Sequence, residues 1–522
     1  MEKHRKLVKC MLAPSFFGPS EPGAELIETH ASWIFLSGEY AYKMKKPVNF
    51  GFLDFSSHAK RHFFCTEELR LNRRFAPELY LEVIPVGGTI DQPHLNQEPA
   101  LAHLVKMRRF PQENQLDRML AAGNLDVAIL IEFAEKIAEV HLQAAQADRH
   151  NHFGTPESVI EPIRQNFDQI RLALPDSTAL RPVNTIEQWS EATFASLQTA
   201  LLTRRESGFI RECHGDMHLA NMAWFEDQPL LFDCIEFNEN LRWIDTINDI
   251  AFLVMDLDDR GQFRYAWAFL NAYLRHTGDY AGLKFLRFYQ VYRAMVRAKV
   301  LGLRLRQPDL SAQERSTDLV QLESYLSLAE NYTQLATPQL IITHGLSGSG
   351  KTTFVNKLAP HIGAICLHSD LERKRLHQLD ATQSGTSPIE QGIYSSAANK
   401  KTYDRLSTLA DLILAAGFTV IVDATFIRQT DRQQLQRLAT KRQRPFKILD
   451  FELNEKLFRR RVRQRVREGN CLSDADEKVL DFQLANAEPL TAGEQDISIT
   501  INEQTDVETV GIQVEGDRKS VV

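Results

Sequence analysis

Cysteine is scarce in this chain. The six residues among 522 (Cys10, Cys65, Cys213, Cys234, Cys366 and Cys471) are scattered and form no C-x-x-C pair. That excludes a disulfide framework and a thiolate metal site, and a reducing, cytoplasmic setting is the simplest expectation. Long hydrophobic runs are missing as well. No stretch approaches the ~18 apolar residues of a membrane-spanning helix, and Lys9 and Pro14 break the N-terminal apolar segment. Neither export nor a membrane partner is expected. A basic excess is also absent: the formal net charge is −7, which gives no global reason to expect nucleic acid as the main partner. There are no repeats and no low-complexity tracts. What is present is 43% hydrophobic content, ample for packed cores, in a length that suits roughly two to four domains.

Between about residues 25 and 110, short β-type runs such as Ser32-Trp-Ile-Phe-Leu, Tyr40-Ala-Tyr-Lys-Met and Leu81-Glu-Val-Ile-Pro-Val alternate with turn signals, interrupted by a helical stretch near 57–75. From about 111 to 335 the apolar period becomes helical, most clearly from Leu125 to His141. Two β-type runs, near Phe209 and Pro229, lie inside that helical part. A β-rich lobe followed by a helical lobe reads as one two-lobed α+β domain, 1–335. The polar residues 331–337 before Pro338 read as a linker. From 338 to about 505 strands and helices alternate, which predicts an α/β domain with a parallel sheet. Residues 506–522 read as a loosely attached tail.

The clearest motif is Gly345-Leu-Ser347-Gly348-Ser349-Gly350-Lys351-Thr352-Thr353, which follows the apolar run Leu340-Ile341-Ile342. It is a P-loop: glycines let backbone N–H groups wrap a polyphosphate, Lys351 reaches the terminal phosphates, and the Thr352 hydroxyl ligates Mg²⁺. A helix starting at once adds its N-terminal partial charge to the anion site. ATP and Mg²⁺ are the cofactors this implies.

A second set of residues lies in the helical part of the first domain. One β run leads into His214-Gly-Asp216 with Asn221 five residues on, and the next ends in Asp233-Cys-Ile-Glu236. A carboxylate that orients an acceptor hydroxyl, with an amide oxygen and another carboxylate to hold the metal on ATP, is what kinase-type phosphoryl transfer needs. These residues resemble the aminoglycoside phosphotransferase and choline kinase branch of the protein-kinase-like fold, over about 25–305. The resemblance implies Asp216 as catalytic base, His214 beside it, and Asn221 and Asp233 as Mg²⁺ ligands. It also implies Lys43 as the lysine on the α/β-phosphates with Glu68 as its ion-pair partner, and Asp249 as a brace for the catalytic loop. Lys45 shares a strand face with Lys43, so the choice between them stays open. No G-x-G-x-x-G covers the nucleotide; only Gly38 is available. His141 and His218 read as packing or hydrogen-bonding residues. Arg293 and Arg297 share one helix face, with a structural role favoured over an anionic substrate.

In the second domain, Gly417-Phe-Thr-Val-Ile-Val-Asp423 is an apolar strand ending in an acid suited to steadying Mg²⁺. Ala364-Ile-Cys-Leu-His-Ser-Asp370 is another, with Arg373 just beyond. An acid at the carboxyl end of such a strand faces the ligand crevice of an open α/β sheet. Asp370 is therefore a candidate base or a helix cap, and Arg373 a candidate acceptor contact. In the arginine-rich segment after Asn454, Arg461 and Arg465 share a helix face. They suit a lid that neutralises the transferring phosphate, or a solvated or nucleic-acid-binding face. This set resembles the small P-loop kinases, among them polynucleotide kinase, gluconate kinase, chloramphenicol phosphotransferase and the zeta-toxin kinases. Together, the two halves resemble bacterial proteins described as bifunctional aminoglycoside phosphotransferase and ATP-binding proteins. The resemblance implies a phosphotransferase with two ATP sites and a small-molecule acceptor. The rivals are a regulatory ATP-binding protein with one inactive kinase-like half, and a nucleic-acid-end kinase.

Overall fold

The structure, a computed structural model, describes residues 2–18, 23–51, 53–174, 180–307, 310–334, 337–379, 395–468 and 477–519, without the side chains of 464–468, 515 and 517–519. By its contacts the chain forms two compact units, residues 1–259 with 288–330 and residues 260–287 with 331–522. The division differs from a linear one at about 335, because residues 260–287 group with the second unit.

The first unit opens with helix α1 (Glu2–Met11) and then a six-stranded antiparallel sheet. Its strands are β1 (Glu25–Glu28), β2 (Ser32–Ser37), β3 (Tyr40–Lys45), β4 (Tyr80–Gly88), β5 (Pro93–Leu95) and β6 (Ala102–Arg108), in the order β1-β2-β3-β6-β4-β5. One face buries Trp33, Phe35, Tyr42, Met44, Ile84, Val86 and Leu104 with Leu7, Val8 and Met11 of α1, the period-two pattern that makes these segments strands. Between β3 and β4 runs α2 (His58–Asn72), capped by the Ser57 side chain, which accepts from the Lys60 N–H. The β2–β3 turn at Gly38 is tight (φ +53°), so only a short hairpin joins these strands.

The helical part follows, including α3 (Val127–Gln143) and the mutually packed helices Pro156–Ala173 and Leu180–Glu206. Short strands interrupt it: β7 (Ile210–Glu212), the hairpin β8 (Met222–Phe225) and β9 (Gln228–Leu231), and β10 (Trp243–Asp245), which pairs with β7. Then come α4 (Thr246–Asp259), buried almost throughout, α5 (Phe263–Thr277), α6 (Leu283–Leu305) and α7 (Ala312–Thr333).

The second unit is a five-stranded parallel sheet of β11 (Leu340–His344), β12 (Ala364–His368), β13 (Thr419–Asp423), β14 (Phe446–Phe451) and β15 (Ser498–Ile501), ordered β12-β13-β11-β14-β15. The chain leaves β11 toward one edge and leaves β13 toward the other, so the switch point lies between them, where ligand crevices form. Its helices include α8 (Lys351–Ile362), α9 (Ser369–Leu376), α10 (Ser396–Ala415), α11 (Gln429–Lys441), α12 (Glu455–Glu468), α13 (Glu477–Asn486) and α14 (Val507–Lys519). The near-continuous apolar runs of β11 and β13 are buried along their lengths, as a sheet covered on both faces requires.

Two features correct the sequence reading. Within the segment 506–522, expected to be a loose tail, Val507–Lys519 forms α14, whose Val510 and Val514 are buried against Leu358 and Ile362, and whose Val514 carbonyl accepts from Gln339 Nε2 at 3.0 Å. The valines are four apart and share one helix face, so they join a core even in a mostly polar segment. In addition, α5 serves the second unit. Asn271 uses its amide on the open edge of β12, donating to the Ala364 carbonyl and accepting from the Cys366 N–H (2.9 and 2.8 Å). That side chain satisfies backbone groups an edge strand would otherwise leave unpaired.

Candidate active sites

In the first unit, the loop that follows β7 is held from beneath by one carboxylate. Asp249, fully buried on α4, accepts the N–H groups of His214 (2.9 Å) and Gly215 (2.8 Å) and the Nε2 of His141 (3.2 Å). Burial alone would raise its pKa, but His141, His214 and Arg293 hold it down to about 2. Gly215 sits at φ +88°, and a Cβ there would meet the Leu241 carbonyl at 2.6 Å, so the turn needs glycine. Arg293 donates to the Gly215 carbonyl (2.9 Å) and to Asn248 Oδ1 (2.8 Å). These bonds tie α6 to the loop and to α4.

Three bonds dock the β9 end onto this loop. His214 Nε2 donates to the Phe232 carbonyl (2.9 Å), the Ile235 N–H to the His214 carbonyl (3.0 Å), and the Phe232 N–H to the Asn221 carbonyl (3.0 Å). His214 Nδ1 accepts from the Asp216 N–H at 3.3 Å, so one tautomer satisfies both bonds, and burial keeps the ring neutral by lowering its pKa. Asp233 is thereby fixed beside the 214–221 loop, in a left-handed conformation (φ +62°) costly for a residue with a Cβ. Asn221 Nδ2 donates to the Asp216 carbonyl (2.9 Å) and carboxylate (3.0 Å), so its Oδ1 is the atom left for a cation. Burial works to raise the Asp216 pKa, yet His218 at 3.4 Å, His214 and Arg293 together hold it below the usual range.

The two candidate lysines separate here. Lys43 Nζ lies 2.8 Å from Glu68 Oε1 and 2.6 Å from Asp233 Oδ1, at the edge of the cleft. Lys45 is 1% exposed; it contacts Glu68 Oε2 (2.7 Å) and Glu236, and lies over the Phe55 ring at 4.7 Å. Glu68 is completely buried, and though burial opposes its charge, the two lysines hold it down to about 2. Glu236, to which the sequence motif assigns no part, is the second carboxylate; the alternation of Lys43 and Lys45 on one strand face is the signal that one is needed.

In the second unit the P-loop joins β11 to α8, with Gly345, Gly348 and Gly350 all at positive φ. Lys351 Nζ donates to the Leu346 carbonyl (2.7 Å) and Ser349 Oγ (3.3 Å). Thr352 Oγ1 donates to Asp423 Oδ2 at 2.7 Å, and Thr353 lies in the first turn of α8. The Ser347 N–H donates to Gln483 Oε1 of α13 (2.8 Å). A residue not anticipated is His368, in register with Asp423 on the neighbouring strand, its Nδ1 3.0 Å from the same Asp423 oxygen. Burial opposes its charge, but Cys366 and Asp423 beside it push the imidazole up to about 10. Polar residues ending two adjacent strands were the available signal.

Asp370 lies in the first turn of α9, whose N-cap position is His368, and its carboxylate accepts from Arg373 Nη1 at 2.7 Å. Arg373 Nη2 also donates to Asn399 Oδ1 (3.2 Å). On α12, Phe458 and Val462 pack with Leu346 and Leu480, seating the helix on the P-loop. Arg461 Nη1 donates to the Ser349 carbonyl at 3.3 Å. The Arg465 side chain lies outside the described residues.

Residues 61–286 match the family model of the phosphotransferase enzyme family, and residues 340–490 match that of an AAA domain. Uncharacterized protein Rv2004c of Mycobacterium tuberculosis and Uncharacterized protein Mb2027c of Mycobacterium bovis are each 30% identical over 423 residues, spanning 80% of this chain and 82% of theirs. The chain belongs to their family. This chain joins a kinase-like phosphotransferase domain to a P-loop kinase-like domain, as the resemblance implied. Similar solved structures include the amicoumacin kinase hAmiN in complex with AMP-PNP, Ca²⁺ and Ami (12% identity, 63% of this chain and 94% of that one, TM-score 0.40). Another is a sugar kinase from Janibacter sp. HTCC2649 (20% identity, 34% and 92%, TM-score 0.26). Kinase families of these two types use ATP and usually a divalent metal. Among the described residues no helix is long and apolar enough to cross a membrane.

Proposed function

We propose that this chain is an ATP- and Mg²⁺-dependent phosphotransferase with two nucleotide sites, each moving the γ-phosphate to a hydroxyl of a small-molecule acceptor. The observation that carries the reading is the ammonium of Lys43, poised between Glu68 and Asp233. A lysine–glutamate pair against a metal-competent carboxylate is the arrangement that holds ATP phosphates in kinase-type sites. Asn221 with Asp233, and Thr352 with Asp423, are hard oxygen donors of the kind Mg²⁺ takes. Bound there, the ion would neutralise charge on the phosphates.

In the first site Asp216 accepts the hydroxyl proton while the acceptor oxygen bonds to the γ-phosphorus and the bond to ADP breaks. His214, neutral, holds the loop in place. In the second, Lys351 and the P-loop N–H groups hold the phosphates, Arg461 covers the transferring group, and Asp370 with Arg373 faces the acceptor. Arg459 and Arg463 are engaged by Glu455, Glu477 and Asp481, which favours a lid over a nucleic-acid-binding face.

The test uses the full chain, since a cut near 335 would separate α5 from the sheet it caps. Wild type, Asp216→Asn, Lys351→Ala and the double variant are each given γ-labelled ATP and a metabolite extract. Each single variant should lose a different set of labelled products and the double variant all of them. Products that persist in the double variant, or a single variant that loses both sets, would refute two independent sites.

A further inference from the structure

The first unit contains a histidine cluster that phosphoryl transfer does not use. His58 and His62 stand four residues apart at the start of α2, on one face of the helix and exposed. His103 of β6 lies beneath them, 8% exposed, with its ring 3.9 Å from that of His62 and 5.1 Å from that of His58, centre to centre. Its Nδ1 is buried and has no hydrogen-bond partner among the described residues. An orphaned buried ring nitrogen is costly, and a missing ion is one of the few things that resolves it.

We infer that His58, His62 and His103 form a binding site for a divalent transition metal of the zinc class, which would staple the first turn of α2 to β6. Two histidines at i and i+4 present their nitrogens to one ion, and three imidazoles leave a further position open in a tetrahedral site. Imidazole donors select zinc, nickel or copper over magnesium or calcium. The His62 ring now stacks on that of His103, the His58 ring is tilted by 50° against it, and the nitrogens do not converge, so closing on an ion requires rotation of His58 and His62, the two exposed side chains. Glu98 is an electrostatic neighbour of both His58 and His103 and supplies a compensating negative charge. The nearby Arg61 guanidinium opposes a cation, but it is tied to the Phe55 carbonyl at 2.9 Å and faces His4 Nε2 at 3.3 Å, on another histidine.

A different group, His141, Cys213 and Asp249, brings its ligand atoms within 4.8 Å of one another. Its members are fully buried, and both Asp249 oxygens already accept the N–H groups that shape the 214–221 loop. It belongs to that loop.

The site would act on α2, the helix that carries Glu68, and so would couple metal occupancy to the position of the lysine–glutamate pair. The test is Zn²⁺ titration of the chelator-stripped full chain by calorimetry, with Co²⁺ absorption as a second probe. Binding should be at least tenfold weaker in His58→Gln, His62→Gln and His103→Gln and unchanged in Cys213→Ser. The Co²⁺ spectrum should lack a thiolate charge-transfer band. The two α2 variants replace exposed side chains, so they decide the matter even if His103→Gln folds poorly. No Zn²⁺ binding, binding of equal strength in His58→Gln and His62→Gln, or a thiolate band would overturn the inference.

Discussion

Replacing Lys45 by methionine tests the division of labour between the two lysines of β3. The substitution keeps the side-chain volume close, so cavity effects are small, and removes one charge from a closed cluster. Lys45 is 1% exposed, and its two partners are nearly as buried, Glu68 at 0% and Glu236 at 7%. Without it, Glu236 loses its cation and Glu68 keeps only Lys43. Removing one partner of a buried pair costs about 3–5 kcal/mol. At about 2–4 °C per kcal/mol for a domain of this size, melting of the first unit should fall by about 6 °C or more. Lys43→Met is the contrast. Its partner Asp233 has a side chain 48% exposed and can return to water, and Glu68 is still held by Lys45. The loss should be about 1–3 kcal/mol, mainly from the buried Glu68 oxygen left without its cation, while transfer by the first site should be abolished. Calorimetric melting of both variants, with urea unfolding as a check, reads the difference. Adding Glu236→Gln to Lys45→Met should restore part of the loss, because it removes the stranded charge. A Lys45→Met protein melting within 2 °C of wild type, or a Lys43→Met protein less stable than Lys45→Met, would refute the assignment.

Other consequences are as direct. Gly348→Ala forces a Cβ to within 2.8 Å of the Phe458 carbonyl at φ +85°; that strain of about 1–2 kcal/mol, with displacement of α12, should weaken ATP binding at the second site tenfold or more by calorimetry. Asp249 has its folded pKa depressed to about 2 from 3.8, so its stabilisation is complete above pH 4 and is lost as pH falls through the folded value. It amounts to about 2 kcal/mol, and Asp249→Asn should flatten acid unfolding between pH 4 and 2; an unchanged acid limb would count against the clamp. His368→Gln should lower the Mg²⁺ concentration needed for half-maximal turnover at the second site severalfold, since it frees Asp423 from a competing cationic neighbour, and a metal dependence equal to wild type would remove His368 from the site.

Much of the chemistry was legible because it is local. The P-loop closes within nine residues, and its glycines, lysine and threonine are required by backbone conformation and reach alone. Asp216 and Asn221 sit on one loop, and strand and helix periods give the lobes and the parallel sheet from hydrophobic patterning. Long-range pairing was not legible. Lys43 and Lys45 are equivalent in a period-two pattern, and only the placement of Glu68 on α2 and Glu236 beyond β9 makes one a buried ion and leaves the other at the cleft. His368 gained its part through the register of β12 against β13, which depends on strand order. The C-terminal segment looked loose because two buried valines are weak evidence until the groove that receives them exists. In the same way, α5 reads as another helix of the first domain until Asn271 is found on the edge of β12. The sequence by itself determined that two phosphate-handling folds stand in one chain and which short motifs each carries, because turns, caps and periodicities act over a few residues. The tertiary structure decided which charges face one another and where one compact unit gives way to the next, because burial and ion pairing depend on residues far apart along the chain.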